Sequence, residues 1–212
     1  MKVLIGCERS GTVRRAFEKC GYDATSCDLV EADDGSNNHI QDDIRNILHL
    51  GWDLLIAHPP CTRLCNSGVR WLRVPPPGRT KEDIWTELEA GAELFAACWN
   101  ADIPHIAVEN PIMHKYARSR IKNYQPPAQT VQPWQFGDPF FKATSFYIKN
   151  LPKLKPTHVL IPPPKNTKEY KAWSYIHRMP PSENRGVARS KTFDGIAEAM
   201  AKQWGEAVAA KS

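Results

Sequence analysis

Nowhere in the 212 residues does an uninterrupted apolar stretch approach the roughly 20 positions a membrane-spanning helix needs. The opening stretch, MKVLIGCERSG, has one lysine and a short apolar run that Gly, Glu and Arg break at once. It reads as a first strand rather than a signal peptide, and the expected location is cytoplasmic. A disulfide framework is also missing. Cysteines 7, 20, 27, 61, 65 and 98 are scattered, as suits a reducing compartment. Cys61 and Cys65 lie near His58, but no second paired cluster follows, so no metal is expected. There is no full G-x-G-x-x-G, which counts against a dinucleotide, and there is no internal repeat. Neither sign of charge dominates: 28 Lys and Arg face 23 Asp and Glu, a net +5 that permits an anionic partner without demanding one.

What is present fits one globular α/β unit, with or without a small appendage. KVLIG (2–6) is a short apolar run closed by Gly, a buried-strand pattern. In SGTVRRAFEKCG, Ser10 is placed to cap a helix whose Val13, Ala16, Phe17 and Cys20 share one face, and Gly21 ends it. DATSCDL (23–29) reads as a second strand ending near Asp28, DDGSNN (33–38) as a turn-rich loop, DDIRNILHLG as a short helix and WDLLIAH as a further strand. The stretch 62–79 reads as a cationic loop. Residues 80–100 give the clearest helix, with Thr80 and Asp83 resembling a capping box and Ile84, Leu88, Ala92, Phe95 and Trp99 on one face. Strands are expected over 103–111 and 143–151, and an amphipathic helix over 190–210. Strand alternating with helix predicts a doubly wound, largely parallel sheet. Many of the 18 prolines cluster in the second half, and 152–189 fits the alternation poorly.

In open parallel sheets, ligands bind at the carboxyl ends of the strands. Four features fall there. GCERSG, from Gly6 to Gly11, could let backbone N–H groups approach a cofactor, although most such turns are structural. Asp28 could accept a ribose diol, or it could be a solvated strand end. Cys61 follows Pro59-Pro60, whose fixed φ angles restrain it, and a thiolate is a strong nucleophile once its pKa is lowered; the alternative is a small buried residue. Glu109 ends an apolar strand in VENP. Burial there would keep a carboxyl protonated and able to donate a hydrogen bond, whereas a helix N-terminal carboxylate is the ordinary alternative. A thiol and a protonatable acid on neighbouring strand ends suit attack on an electron-poor ring.

In these motifs the sequence resembles the cytosine-5 DNA methyltransferases, specifically their short phage-type relatives. LIGCERSG is similar to the family's glycine motif, CDL to its ribose-binding acid, and QDDI to its adenine-contacting acid at Asp43. DLLIAHPPCT resembles the catalytic Pro-Cys segment, VENP the Glu-Asn motif, and FGDPFFKATSFYI a segment usually bearing Gln, Arg and Arg. ARSKTFDGIAEAMAKQWG resembles the C-terminal helix that lines the cofactor pocket. The likeness covers most of 1–150 and 186–206 in the family's order. It departs at Phe140, Lys142 and Thr144, which stand where the family has Gln, Arg and Arg, and at Thr62, where Gln is frequent. About 40 residues stand where the family carries a target-recognition domain, well under a usual domain.

The resemblance implies a Rossmann-like methyltransferase sheet over 1–151 and 186–212, with 152–185 as a Pro-rich insertion. It implies S-adenosylmethionine as cofactor, bound through Gly6, Glu8, Ser10, Gly11, Asp28, Asp43, Pro59 and Ser190. Cys61, Glu109 and Lys142 would be catalytic, and Arg63, Asn66, Arg70 and Thr144 would contact substrate. The expected activity is methyl transfer to carbon 5 of cytosine in DNA, through a cysteine adduct and with little sequence specificity. Three alternatives stay open. A free cytosine nucleotide would account for the missing recognition domain. A non-catalytic nucleic-acid or cofactor binder would keep only the scaffold. An amino-methyltransferase is disfavoured because His58-Pro-Pro-Cys lacks the acceptor-binding Asp or Asn and the aromatic residue of that class.

Overall fold

The computed structural model describes residues 1–179 and 191–210. Seven strands form one sheet in the order β3-β2-β1-β4-β5-β7-β6. They are β1 (Lys2–Gly6), β2 (Asp23–Asp28), β3 (His39–Gln41), β4 (Leu54–Ala57), β5 (His105–Glu109), β6 (Gln129–Val131) and β7 (Thr144–Lys149). Strands β1 to β5 pair in parallel, while β7 runs antiparallel to both β5 and β6. This is the doubly wound arrangement expected from the alternation, with one reversed strand near the edge. The chain leaves β1 toward β2 and β3, then returns to β4 and β5 on the other side. The switch point of the sheet therefore lies between β1 and β4.

The strands are nearly continuous apolar runs because helices cover both faces. Val3, Ile5, Leu54, Ile56 and Phe146 point to one side and pack with Val13 and Phe17 of α1 (Thr12–Lys19) and with Met200 and Trp204 of the C-terminal helix α7 (Asp194–Ala209). Leu4, Leu55, Ile106, Val108 and Tyr147 point to the other, against Phe95 and Trp99 of α3 (Lys81–Trp99). The capping box at Thr80 and Asp83 is present, and Ile84, Leu88, Ala92, Phe95 and Trp99 are all buried as the periodicity requires.

Several elements differ from expectation. The stretch read as a loop contains α2 (Asn66–Arg73). It has no side-chain cap, but Leu72 and Val69 bury against Ile84, Leu88 and Trp85, and that packing makes the helix. DDIRNILHLG forms only a 3₁₀ turn, Ile44–Asn46, capped by Asp43. Ser10 does not cap α1. Gly11 is the N-cap in a left-handed conformation, and the buried Glu8 carboxylate accepts from Val13 N at 2.7 Å and Arg14 N at 3.3 Å. Short helices α4 (Lys115–Arg118), α5 (Lys168–Trp173) and α6 (Tyr175–Arg178) were not anticipated. Residues 152–160 lie along the scaffold. Leu154 exchanges two hydrogen bonds with Gln129, Lys155 exchanges two with Gln203, and Trp204 Nε1 donates to Pro152 O. Among the described residues no helix is long and apolar enough to cross a membrane.

Arg14 braces the edge of the fold that carries Asp28. Its side chain is 2% exposed; Nε donates to Ser26 Oγ, and its terminal nitrogens donate to Glu18, Ser36 and Asp34. This holds the 29–38 loop against α1. Burial alone would raise the pKa of Asp34, but the Arg15 hydrogen bond and the Arg14 charge outweigh it and hold the carboxyl below its ordinary value. A depressed carboxyl stabilises the fold above its unfolded pKa of about 3.9, and that contribution is lost as pH falls through the folded value. Arg14→Met should cost about 3 kcal/mol in urea unfolding, because it strands its partners. The half-exposed Arg15→Met should cost under about 1 kcal/mol. The wild type should lose stability more steeply than Arg14→Met as pH is lowered below about 4.

Candidate active site

Ladder register brings the two motifs of interest side by side. Strands β4 and β5 pair Leu54 with His105 through to Ala57 with Val108, so the next residues, His58 and Glu109, exit together. His58 Nδ1 lies 3.7 Å from Glu109 Oε2, with the two side chains 6% and 21% exposed. One residue further on, Asn110 Nδ2 donates to Pro59 O at 2.9 Å, and the backbone N–H of Asn110 donates to Ser145 O. Asn110 is buried. It fastens the loop carrying Cys61 to the end of β5. On the other side His58 N donates to Gly6 O, joining the same loop to the glycine turn after β1.

Glu109, Lys142 and Thr144 meet in a narrow cavity with His58, Phe193 and Met200 among its other walls. Lys142 Nζ donates to Lys191 O at 3.2 Å and lies 5.7 Å from the Phe193 ring centroid. Thr144 is buried at the start of β7, with Oγ1 donating to Lys142 O. Cys61 is partly exposed and opens a tight turn in which Leu64 N donates to its carbonyl. The Cys7, Cys27 and Cys98 thiols differ. Burial pushes all three up, Cys27 to about 11 and Cys98 to about 12, so they stay protonated and unreactive near neutral pH.

The residues expected to hold a cofactor surround the carboxyl ends of β1, β2 and β3. Gly6 ends β1, and Glu8 and Ser10 fold onto the start of α1, where Ser10 Oγ lies 3.2 Å from Glu8 Oε1. Asp28 ends β2 and accepts a 3.3 Å bond from Val30 N. Asp43 follows β3; the Arg45 hydrogen bond holds its carboxyl below the usual range. Ser190 lies outside the described residues. Of the residues expected to touch substrate, Arg63 is tied to Glu87 at 2.6 Å. Asn66 and Arg70 line a separate groove with Arg73, Lys81, Trp85 and Tyr116. Sequence reasoning missed His58 and Asn110 as site members, although both stand inside the quoted motifs. It also missed Trp85 and Tyr116, which are distant in sequence from the cysteine.

The sequence matches no protein-family model and no curated protein. Among solved structures it is similar to a prophage-encoded E. coli protein assigned as a DNA modification methyltransferase. The TM-score is 0.46 and the identity 16%, over 70% of this chain and 46% of that one. It is also similar to a variant of Spodoptera frugiperda DNMT2, with TM-score 0.36 and 14% identity over 77% of this chain and 55% of that one. The chain thus spans about half the length of each of these structures.

The turn that presents Cys61 depends on close packing beneath it. A Cβ on Gly68 would stand 1.9 Å from the Thr62 carbonyl oxygen. On helix propensity alone, Gly68→Ala would stabilise α2 by about 1 kcal/mol. With the carbonyl in the way, it should instead destabilise the protein by about 2 kcal/mol in urea unfolding. The rate of Cys61 alkylation should change with it. A stabilised variant would show that the contact is absent.

Proposed function

We propose that this protein transfers a methyl group from S-adenosylmethionine to carbon 5 of cytosine in DNA, through a covalent adduct with Cys61. The observation that carries the reading is the Asn110–Pro59 bond, which ties the cysteine loop to the strand end bearing Glu109. Neighbouring parallel strands then deliver a nucleophile and a proton donor to the same end of the sheet.

The donor side suits a sulfonium cofactor better than a dinucleotide. The helix terminus that would cradle a pyrophosphate is occupied, since the Glu8 carboxylate takes the N–H groups of Val13 and Arg14. Asp28, with one long hydrogen bond among the described residues, has acceptor capacity for a ribose diol, and Asp43 stands at the next strand end for the base. Gly6, Glu8, Ser10, Gly11, Asp28 and Asp43 would hold S-adenosylmethionine. When bound, it supplies an electrophilic methyl group.

The chain's own residues then carry the acceptor chemistry. Carbon 5 of cytosine is a poor nucleophile. Addition of the Cys61 thiolate to carbon 6 makes it enamine-like. Glu109 holds a proton at ring N3 and absorbs the charge that the attack creates. Lys142, in the same cavity as Glu109, supplies a cation to the ring's polar edge. After methylation, loss of the proton from carbon 5 restores the double bond and expels the thiolate.

Incubation with the cofactor and DNA containing 5-fluorocytosine should trap a stable protein–DNA adduct, because fluorine cannot leave as the proton does. Cys61→Ala should give none. Glu109→Gln should slow methylation by about 10²- to 10⁴-fold while leaving the protein folded. Nucleoside mass spectrometry should show 5-methylcytosine. Methyl on an exocyclic nitrogen, or an adduct that persists in Cys61→Ala, would overturn the assignment.

A further inference from the structure

The groove beside the cysteine loop has no role in that chemistry, yet it is built like a binding site. It encloses about 570 Å³ and is walled by two helices and a turn. From α2 come Asn66, Arg70 and Arg73, spaced to share one helix face. From the first turns of α3 come Lys81 and Trp85, and the start of α4 contributes Tyr116.

The pattern of charge decides what fits. Nearby arginines are neutralised: Arg63 and Arg79 bind Glu87, and Arg120 binds Glu89. No ion pair to Arg70, Arg73 or Lys81 occurs among the described residues. Three cations with no ion-pair partner among the described residues therefore line one groove, Arg70 with its guanidinium 4.6 Å from the Trp71 centroid. Its aromatic members lie among them. Trp85 and Tyr116 have ring centroids 5.5 Å apart, tilted by 50°, and Tyr116 is 39% exposed. Arg120 already lies 4.6 Å from the Trp85 centroid, so the partly exposed Tyr116 is the ring left to take a base; cations set around such a ring suit an unpaired nucleic-acid strand, with phosphates on the cations and a base stacked on the ring. A duplex keeps its base faces inside and cannot use the ring.

The groove is fixed to the cysteine turn. His114 N donates to Leu64 O at 2.8 Å, and Cys65 bridges Met113. Asn66 begins α2 where that turn ends. We infer that the groove between α2 and α3 binds single-stranded DNA and feeds it to Cys61, so that the substrate is an unpaired strand. As a statement about substrate, this rests on the methyl-transfer reading; as a statement about binding, it does not.

A dye-labelled 20-nucleotide oligothymidylate, without cofactor, separates the two. It contains no cytosine, so its anisotropy reads the groove alone. It should bind at least about tenfold more tightly than a dT·dA duplex of equal length. The double variant Arg73→Ala/Lys81→Ala should weaken binding and reduce the slope of log affinity against log salt by about 1.4, at about 0.7 per lost phosphate contact. Tyr116→Ala, which removes a partly exposed ring outside the buried core, should weaken binding about tenfold. Equal or tighter duplex binding would overturn the inference, as would wild-type affinity and slope in the double variant. Oligothymidylate binding without a 5-fluorocytosine adduct would refute methyl transfer and leave the groove standing. An adduct on duplex DNA by a protein that ignores oligothymidylate would do the reverse.

Discussion

The hydrogen bond from Asn110 Nδ2 to the Pro59 carbonyl is the constraint on which the site depends. The β4–β5 ladder ends at Ala57 and Val108. Beyond it, Pro59 and Pro60 have no N–H to donate, so the main chain of the cysteine loop cannot extend the pairing by itself. The Asn110 side chain takes over from outside the loop. Its backbone N–H binds Ser145 O at the same time, so one residue links the β4 exit, the β5 end and β7. The prolines restrict the loop's conformations and the amide selects where the restricted loop sits. Neither would locate Cys61 relative to Glu109 alone.

Polar satisfaction is distributed unevenly. Buried Arg14 is satisfied by Ser26, Glu18, Ser36 and Asp34. Both ring nitrogens of His58 and the Oδ1 of Asn110 are buried without a hydrogen-bond partner among the described residues. Each such atom costs about 1–3 kcal/mol. A residue kept for stability alone is under pressure to resolve that cost, as Arg14 does. These orphans instead flank the Pro-Pro-Cys and Glu-Asn segments. Unresolved polar groups gathered at the ends of two neighbouring strands mark a place shaped by something other than stability.

Much of the fold was legible because burial on both faces writes long apolar runs into β1, β4 and β5, and because α3 carries both its cap and its stripe. The elements that escaped are those made by tertiary contact. Helix α2 has no capping side chain and only Leu72 and Val69 as anchors, so its sequence reads as a cationic loop until Ile84 and Leu88 of α3 are placed beside it. Strands β3 and β6 are three residues each, too short for any period to show. At the candidate site, the nearness of the Pro-Pro-Cys and Glu-Asn segments was legible because adjacent parallel strands convert sequence position into spatial register. The nearness of Trp85 and Tyr116 was not, since nothing local says that α3 and α4 face the same groove. The N-terminus of α1 was misread for a related reason. Ser10 has the chemistry of a cap, but the left-handed Gly11 turns the chain so that Glu8 reaches the helix instead.

The two sides of the site differ in how they are held. At the ends of β1 and β2, the glycine turn, Glu8 and the 29–38 loop are locked by hydrogen bonds onto α1, which itself packs in the main core. At the cysteine loop, α2 stands on the small buried cluster of Leu72, Ile84 and Leu88, and beyond the Asn110–Pro59 bond the turn is tied down through Leu64, its carbonyl and the Cys65–Met113 bridge. Regions with few buried apolar contacts open at lower free energy than the global unfolding step. The arrangement therefore divides the labour physically. The end of the sheet at β1 and β2 need not move, while the cysteine turn and the groove beside it are the part of the molecule able to yield without unfolding the sheet.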